Sequence, residues 1–221
     1  MGQGVRVKVW GDYALFSRPE FKVERVSYDV MTPTAARGIL EAIHWKPAIR
    51  WVVDRILVLN KIRHDSVRRN EVGGKLPWGS ARQVAQGGES ELALFADEER
   101  QQRASLLLRD VTYVIEAHFE MTARAGAEDN PGKHADMARR RIERGQCLQQ
   151  PFFGCREFPA AFEPVLPSAR FPLPVELAGV RKLGWMLHDI DYAAGATPRF
   201  FDAELVDGIL VVPPRAFGDR R

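Results

Sequence analysis

Apolar positions alternate at the start of the chain, where Val5, Val7 and Val9 are interleaved with Arg6, Lys8 and Trp10. An extended backbone turns such a row to one side, so the pattern predicts a strand with one buried face. Gly11-Asp12 interrupts it, Tyr13–Phe16 continues it past a bend or bulge, and Ser17-Arg18-Pro19 ends it. The period then changes. Ala36, Ile39, Leu40 and Ile43 fall on one helical stripe, with Thr32 as N-cap and Pro33 as the first helical residue. Pro47 closes this helix, because the residue before a proline is pushed out of helical geometry. Trp51–Val53 and Ile56–Leu59 read as a buried strand. From 60 to 104 the glycines 73, 74, 79, 87 and 88 break any long element. That stretch reads as a long insertion able to hold a hairpin, with Leu92, Leu94 and Phe95 as a short packed anchor.

Leu106–Leu108 and Val111–Ile115 predict a long strand reaching Phe119 or Met121. Asn130-Pro131-Gly132 is a strong turn signal. Residues 133–144 read as a second helix, with Met137 and Ile142 as apolar contacts and Gly145 as its stop. The proline- and aromatic-rich 151–174 reads as loop with short strands, and 184–190 as a strand. Ala203–Val206 and Ile209–Val212 flank Asp207-Gly208, a hairpin signature, and the tail after Pro214 is expected to fray. The fold class expected is α+β. The first six pieces fit a β-α-β-β-α-β split, a ferredoxin-like (RRM-like) unit over 1–165 with its insertion at about 60–104. A small antiparallel β domain and tail over 166–221 follow.

Composition narrows the classes. With 221 residues, 45% of them hydrophobic, the chain is too apolar for a disordered protein. No apolar run approaches the roughly 20 residues of a membrane span, and no signal-peptide apolar region opens the chain. Cys147 and Cys155 lie eight apart. They make neither a disulfide framework nor the four-ligand set of structural zinc, so a reduced, cytoplasmic protein is expected. The formal charge of +3 is mild, but its distribution is uneven. Residues 61–75 and 133–144 each hold five basic and two acidic side chains. Two short positive stretches suit a polyanion, and they also fit two solvated Arg-rich faces.

There is no phosphate-binding glycine loop, no dinucleotide fingerprint, no HExxH and no nucleophile elbow. Histidines carry the remaining chemistry. His44 ends the first helix, where an imidazole also suits the helix dipole. Lys133-His134 opens the second helix beside Arg139, Arg140 and Arg141. His118 reads as structural, and His64 and His188 lack diagnostic context. In a ferredoxin-like split both helices lie on one sheet face, so the end of the first approaches the start of the second. That places His44 near Lys133 and His134, across a gap expected to be one phosphodiester wide. Two imidazoles and an ammonium suit metal-free RNA cleavage, with His44 as base, His134 as acid or orienter, and Lys133 offsetting charge on the phosphorane. No cofactor and no metal-ligand cluster are expected.

Several blocks also resemble a known family. Trp10–Phe16, Ala36–Pro47, Arg109–Tyr113, Ala117–Glu120, Asn130–His134 and Phe153–Glu157 are similar, in order, to the type I-C (Dvulg subtype) CRISPR-associated repeat-processing endoribonucleases, subtype d of the fifth Cas family. The resemblance implies a ferredoxin-like domain followed by a small β domain, and metal-independent cleavage of CRISPR repeat RNA. It also implies that the 5′ handle of the crRNA stays bound within an interference complex of backbone and large subunits. The family's catalytic group is a tyrosine, a lysine and a histidine. Lys133 and His134 match the last two, and His44 stands where the tyrosine is typical.

Two other readings stay open: a subunit that binds guide RNA without cutting it, and a duplex-DNA-binding module or DNA nuclease. Arg139, Arg140, Arg141 and Arg144, with Lys46, are expected to grip RNA backbone, and Arg63, Arg68 and Arg69 to do so from the insertion. Trp10, Tyr13 and Phe16 read as core rather than as base-stacking platforms.

Overall fold

The computed structural model describes residues 4–214 apart from 22, 90, 91 and 96. The opening alternation forms β1 (Val5–Ala14), with Val7 and Val9 fully buried and Arg6 and Lys8 on the other face. A two-residue strand absent from the sequence reading, β2 (Arg25–Val26), pairs parallel to the long strand described below. Helix α1 (Pro33–Ile43) starts where its signals lie, the Thr32 hydroxyl accepting from the Ala35 N–H at 3.3 Å. Its stripe of Ala36, Ile39, Leu40 and Ile43 is buried. Each large side chain in that stripe contributes about 1.5–3 kcal/mol of transfer free energy. The next strand, β3 (Ile49–Val58), carries a bulge at Asp54.

The insertion is a β arm. Strand β4 (His64–Val72) pairs along the outer half of the 22-residue β5 (Arg100–Met121), with α2 (Trp78–Ala85) between them. One expectation fails here: Leu92, Leu94 and Phe95 are 39%, 36% and 52% exposed rather than a packed anchor. Among the described residues of 60–104 no side chain is buried, so the arm has no core of its own to receive them. The second helix, α3 (Pro131–Glu143), begins two residues early because the Asn130 side chain caps it at the Lys133 N–H. The rest is β6 (Ala161–Pro164), β7 (Val180–Asp191), β8 (Thr197–Val206) and β9 (Ile209–Val211), with short 3-10 turns at Val175–Leu177 and Tyr192–Ala194. The Asp207-Gly208 turn joins β8 to β9 as its sequence requires. The tail expected to fray, from 215 on, lies outside the described residues.

The sheet runs β6-β1-β5-β3-β9-β8-β7, every neighbouring pair antiparallel. Helix α1 packs on β3 and β7, α3 packs on β6, and the two helices touch. The Arg37 guanidinium on α1 pairs with the buried Asp189 of β7 at 2.7 Å, tying the last hairpin to the helix layer. Of the three aromatics read as core, Phe16 is buried against Tyr113 and Phe153. Tyr13 is 38% exposed, and Trp10 is half-buried beneath the Lys8 ammonium.

Two glycines seat the 151–160 loop on β1. Gly154 has φ +79°, and a Cβ there would lie 2.0 Å from the Leu15 carbonyl oxygen. A Cβ on Gly11 would come within 2.9 Å of both the Phe153 ring and the Pro159 oxygen. Cys147 and Cys155 are both free. Among the described residues no helix is long and apolar enough to cross a membrane.

Candidate active site

The end of α1 and the start of α3 meet as the sequence predicts, and they bring His44 and His134 together. His44 is the C-cap of α1, in extended geometry that turns its ring out of the helix. The last carbonyls of α1 are held from outside: Arg141 donates to Ile43 O at 2.8 Å, and the Leu148 N–H donates to Ala42 O at 2.7 Å. The Trp51 indole N–H, from β3, donates to His44 O at 2.8 Å. His134 sits in the first turn of α3 with Phe119 edge-on to its ring. The two imidazoles are 5.5 Å apart between centroids and tilted by 33°.

They share a hydrogen bond, His44 Nε2 to His134 Nδ1, at 3.3 Å. That contact corrects the expected gap, because no phosphodiester fits between rings in direct contact. Both side chains are closed in, at 0% and 1% exposure. His134 Nε2 meets Asp129 Oδ1 at 3.0 Å, and Asp129 Oδ2 accepts the Gly126 N–H at 3.0 Å. Asp129 escaped the sequence reading. The signal was an acid immediately before the Asn-Pro-Gly turn, placed to reach back over the first helical turn.

Burial pushes the His44 imidazole down to about 4, with the charges of Arg141, His134 and Lys46 acting in the same direction. His44 is therefore neutral at pH 7. The Gly126 N–H holds the Asp129 carboxyl below its usual range, helped by His134 and Lys133. A neutral imidazole has one N–H and one bare nitrogen. His44 Nδ1 is buried and has no hydrogen-bond partner.

Lys133 is exposed beside the pair, its ammonium 3.4 Å from the Glu128 carbonyl. Lys46 is exposed just past α1. The arginines divide. Arg140 and Arg144 are exposed on α3 without an ion-pair partner among the described residues, and Arg139 pairs with Asp136 at 3.1 Å. Arg141 is half-buried as the strut on α1. On the arm side, Arg68 is exposed, Arg63 pairs with Asp110 at 3.1 Å, and Arg69 pairs with Glu157 and bonds Ser105.

Known proteins resemble this chain over almost its whole length. The family model described as CRISPR-associated protein (Cas_Cas5) matches residues 4–213. The chain belongs to that family, in its Cas5d branch. It is similar to "CRISPR pre-crRNA endoribonuclease Cas5d" of Mannheimia succiniciproducens, at 53% identity over 97% of this chain and 96% of that one. It is also similar to the protein of the same name from Thermus thermophilus, at 40% identity over 96% and 93%. Two solved structures share the fold. One is described as a CRISPR-associated protein (TM-score 0.71, 23% identity, 98% of this chain and 95% of that one). The other is a functionally uncharacterized protein from Streptococcus mutans (TM-score 0.67, 22% identity, 96% and 92%).

Proposed function

We propose that this chain is a metal-independent endoribonuclease that cleaves CRISPR repeat RNA, the pre-crRNA, into guide units. It then stays on the 5′ handle beside the backbone and large subunits of a type I-C interference complex, in the cytoplasm. The names of relatives that match almost the whole chain support this reading. The observation that carries it is the hydrogen bond between His44 Nε2 and His134 Nδ1, which leaves His44 Nδ1 buried without a partner among the described residues.

The 2′-hydroxyl gives its proton to His44 Nδ1 as its oxygen attacks phosphorus. The O2′–P bond forms and the P–O5′ bond breaks. The 5′-oxygen takes a proton from solvent, leaving a 2′,3′-cyclic phosphate and a 5′-hydroxyl. Lys133 offsets charge on the phosphorane oxygens. His134 acts as orienter rather than acid, since both its nitrogens are engaged. Nδ1 is closed in this state, so RNA docking must uncover it. Catalytic hydrogen bonds commonly assemble only in the substrate complex. Arg140, Arg144, Arg68 and Lys46 are the exposed cations that supply backbone contacts.

We read the strand order β6-β1-β5-β3, with α1 and α3 as its crossovers, as a ferredoxin-like unit over 1–165. Within the expected second domain of 166–221, the described residues 166–214 then form the small β unit, joined to the sheet at β3. The burial of both imidazoles favours one second reading, a subunit that binds guide RNA without cutting it. One assay separates them: purified protein with end-labelled repeat RNA, unmodified or with 2′-deoxy at the scissile nucleotide. Cutting of the first alone, unchanged by EDTA, is expected. Equal cutting of both refutes the mechanism, and binding without product leaves the binding subunit.

A further inference from the structure

We infer that Asp129 is a positioning residue, whose carboxylate fixes the tautomers of His134 and His44 so that His44 presents an unprotonated Nδ1. The cleavage role rests on the function proposed above. The tautomer assignment stands on geometry alone.

Asp129 has two tasks that pull apart cleanly. Oδ2 closes the loop through the Gly126 N–H at 3.0 Å, and Oδ1 faces His134 Nε2 at 3.0 Å. An ionised carboxylate only accepts, so the proton on His134 sits at Nε2. His134 Nδ1 is then bare and accepts from His44 Nε2 at 3.3 Å. His44 has spent its one proton, and Nδ1 keeps a lone pair. That is the buried atom without a partner. Run the other way, the same two rings give a different result. If His134 carried its proton on Nδ1, it would donate to His44 Nε2, the His44 proton would move to Nδ1, and no base would remain. The charged groups around the pair are Arg141 from α3, Lys46 after α1, and Lys133 beside Asp129. All three are cations. Burial first, and then Arg141 and Lys46, keep His44 neutral without choosing which of its nitrogens is bare, so the choice falls to the only acid in contact with the pair among the described residues.

The substitution Asp129→Asn tests this with the loop kept. Its side-chain oxygen accepts the Gly126 N–H, and its amide donates to His134 Nε2. That donation forces His134 to carry its proton on Nδ1 and reverses the chain. Histidine ring nitrogens are read by NMR on protein labelled with ¹⁵N-histidine, assigned with His44→Gln and His134→Gln. Wild-type protein is expected to show His44 protonated at Nε2 and bare at Nδ1, a measurement that needs no variant to fold. In Asp129→Asn the two signals exchange. Single-turnover cleavage falls by roughly 10²–10⁴-fold with RNA affinity unchanged. Wild-type His44 protonated at Nδ1, or no exchange in the variant, overturns the inference. Exchange with an unchanged cleavage rate overturns the positioning role. Exchange in a protein whose wild type cuts no repeat RNA overturns the proposed function and leaves the tautomer assignment standing.

Discussion

Replacing His44 with glutamine should flatten the acid side of the protein's stability profile. The imidazole is fully buried and sits at about 4, against an ordinary value of 6.5. Between those two values the unfolded chain binds a proton at this position and the folded chain does not. Stability is therefore complete above 6.5 and is lost as pH falls toward 4. The whole difference of about 2.5 pK units is worth about 3 kcal/mol at 1.36 kcal/mol per unit. Between pH 7 and pH 5 the same two values give a loss of about 2 kcal/mol. Glutamine places an amide nitrogen where Nε2 lies, keeps a donor to His134 Nδ1, and does not titrate. Urea unfolding of both proteins at pH 7 and pH 5 reads the effect. With a slope of about 2–3 kcal/mol per molar, the wild-type midpoint should drop roughly 0.7–1 M further than that of His44→Gln. The histidines and carboxylates away from the His44–His134 pair are common to both proteins and cancel in the difference. Parallel drops would show that His44 is not held neutral by its surroundings, and the neutral base in the mechanism would go with it.

Lys133→Ala should leave the unfolding midpoint within about 0.5 kcal/mol of wild type, because the side chain is exposed, while cleavage falls by about 10²–10³-fold. An equal loss in RNA affinity would instead mark Lys133 as a binding residue. Gly154→Ala should cost about 3 kcal/mol or more in thermal or urea unfolding, since its φ of +79° and the Leu15 carbonyl 2.0 Å from the added Cβ oppose it together. A change below 1 kcal/mol would mean that the 151–160 loop lifts off β1 without penalty.

How far the sequence discloses this molecule depends on the reach of each interaction. Helix α1 was legible because its cap, its proline and its apolar stripe lie within twelve consecutive residues. The Asp207-Gly208 hairpin was legible for the same reason. Helix α2 was not. Its mean character is polar, it buries no side chain, and Gly79 reads as a breaker where only local hydrogen bonding decides. The two-residue β2 is fixed by a parallel partner some eighty positions away, which no local pattern encodes. At the site, the meeting of His44 with His134 followed from helix order. The closeness of their rings did not, because it is set by the Arg141 and Trp51 bonds that draw the end of α1 inward. Tyr13 was misjudged as core because a strand pattern does not say which end of the strand the sheet leaves uncovered.

The placement of charge limits where RNA can lie. The sheet face turned away from α1 and α3 corresponds to the face on which other sheet proteins bind single-stranded RNA. Here that face carries Arg6 and Arg55 on Glu116, Lys8 on Glu163, Arg50 on Glu120, and His118 on Asp54 of the β3 bulge. A cation already paired with a carboxylate adds little to phosphate binding, because a phosphate must first displace its partner. Exposed cations without such partners among the described residues, Arg140 and Arg144, lie instead toward the end of α3, the helix whose first turn holds Lys133 and His134. On the proposed reading, one helix would hold the orienting imidazole near its first turn and backbone-gripping charge toward its last. A strand of RNA drawn along α3 would bring its phosphates past Lys133 and onto the contact between the two helices. The unpartnered Nδ1 of His44 lies buried at that contact. On the proposed function binding and unmasking of the base would be one event, and the buried imidazoles would be the resting state of the nuclease.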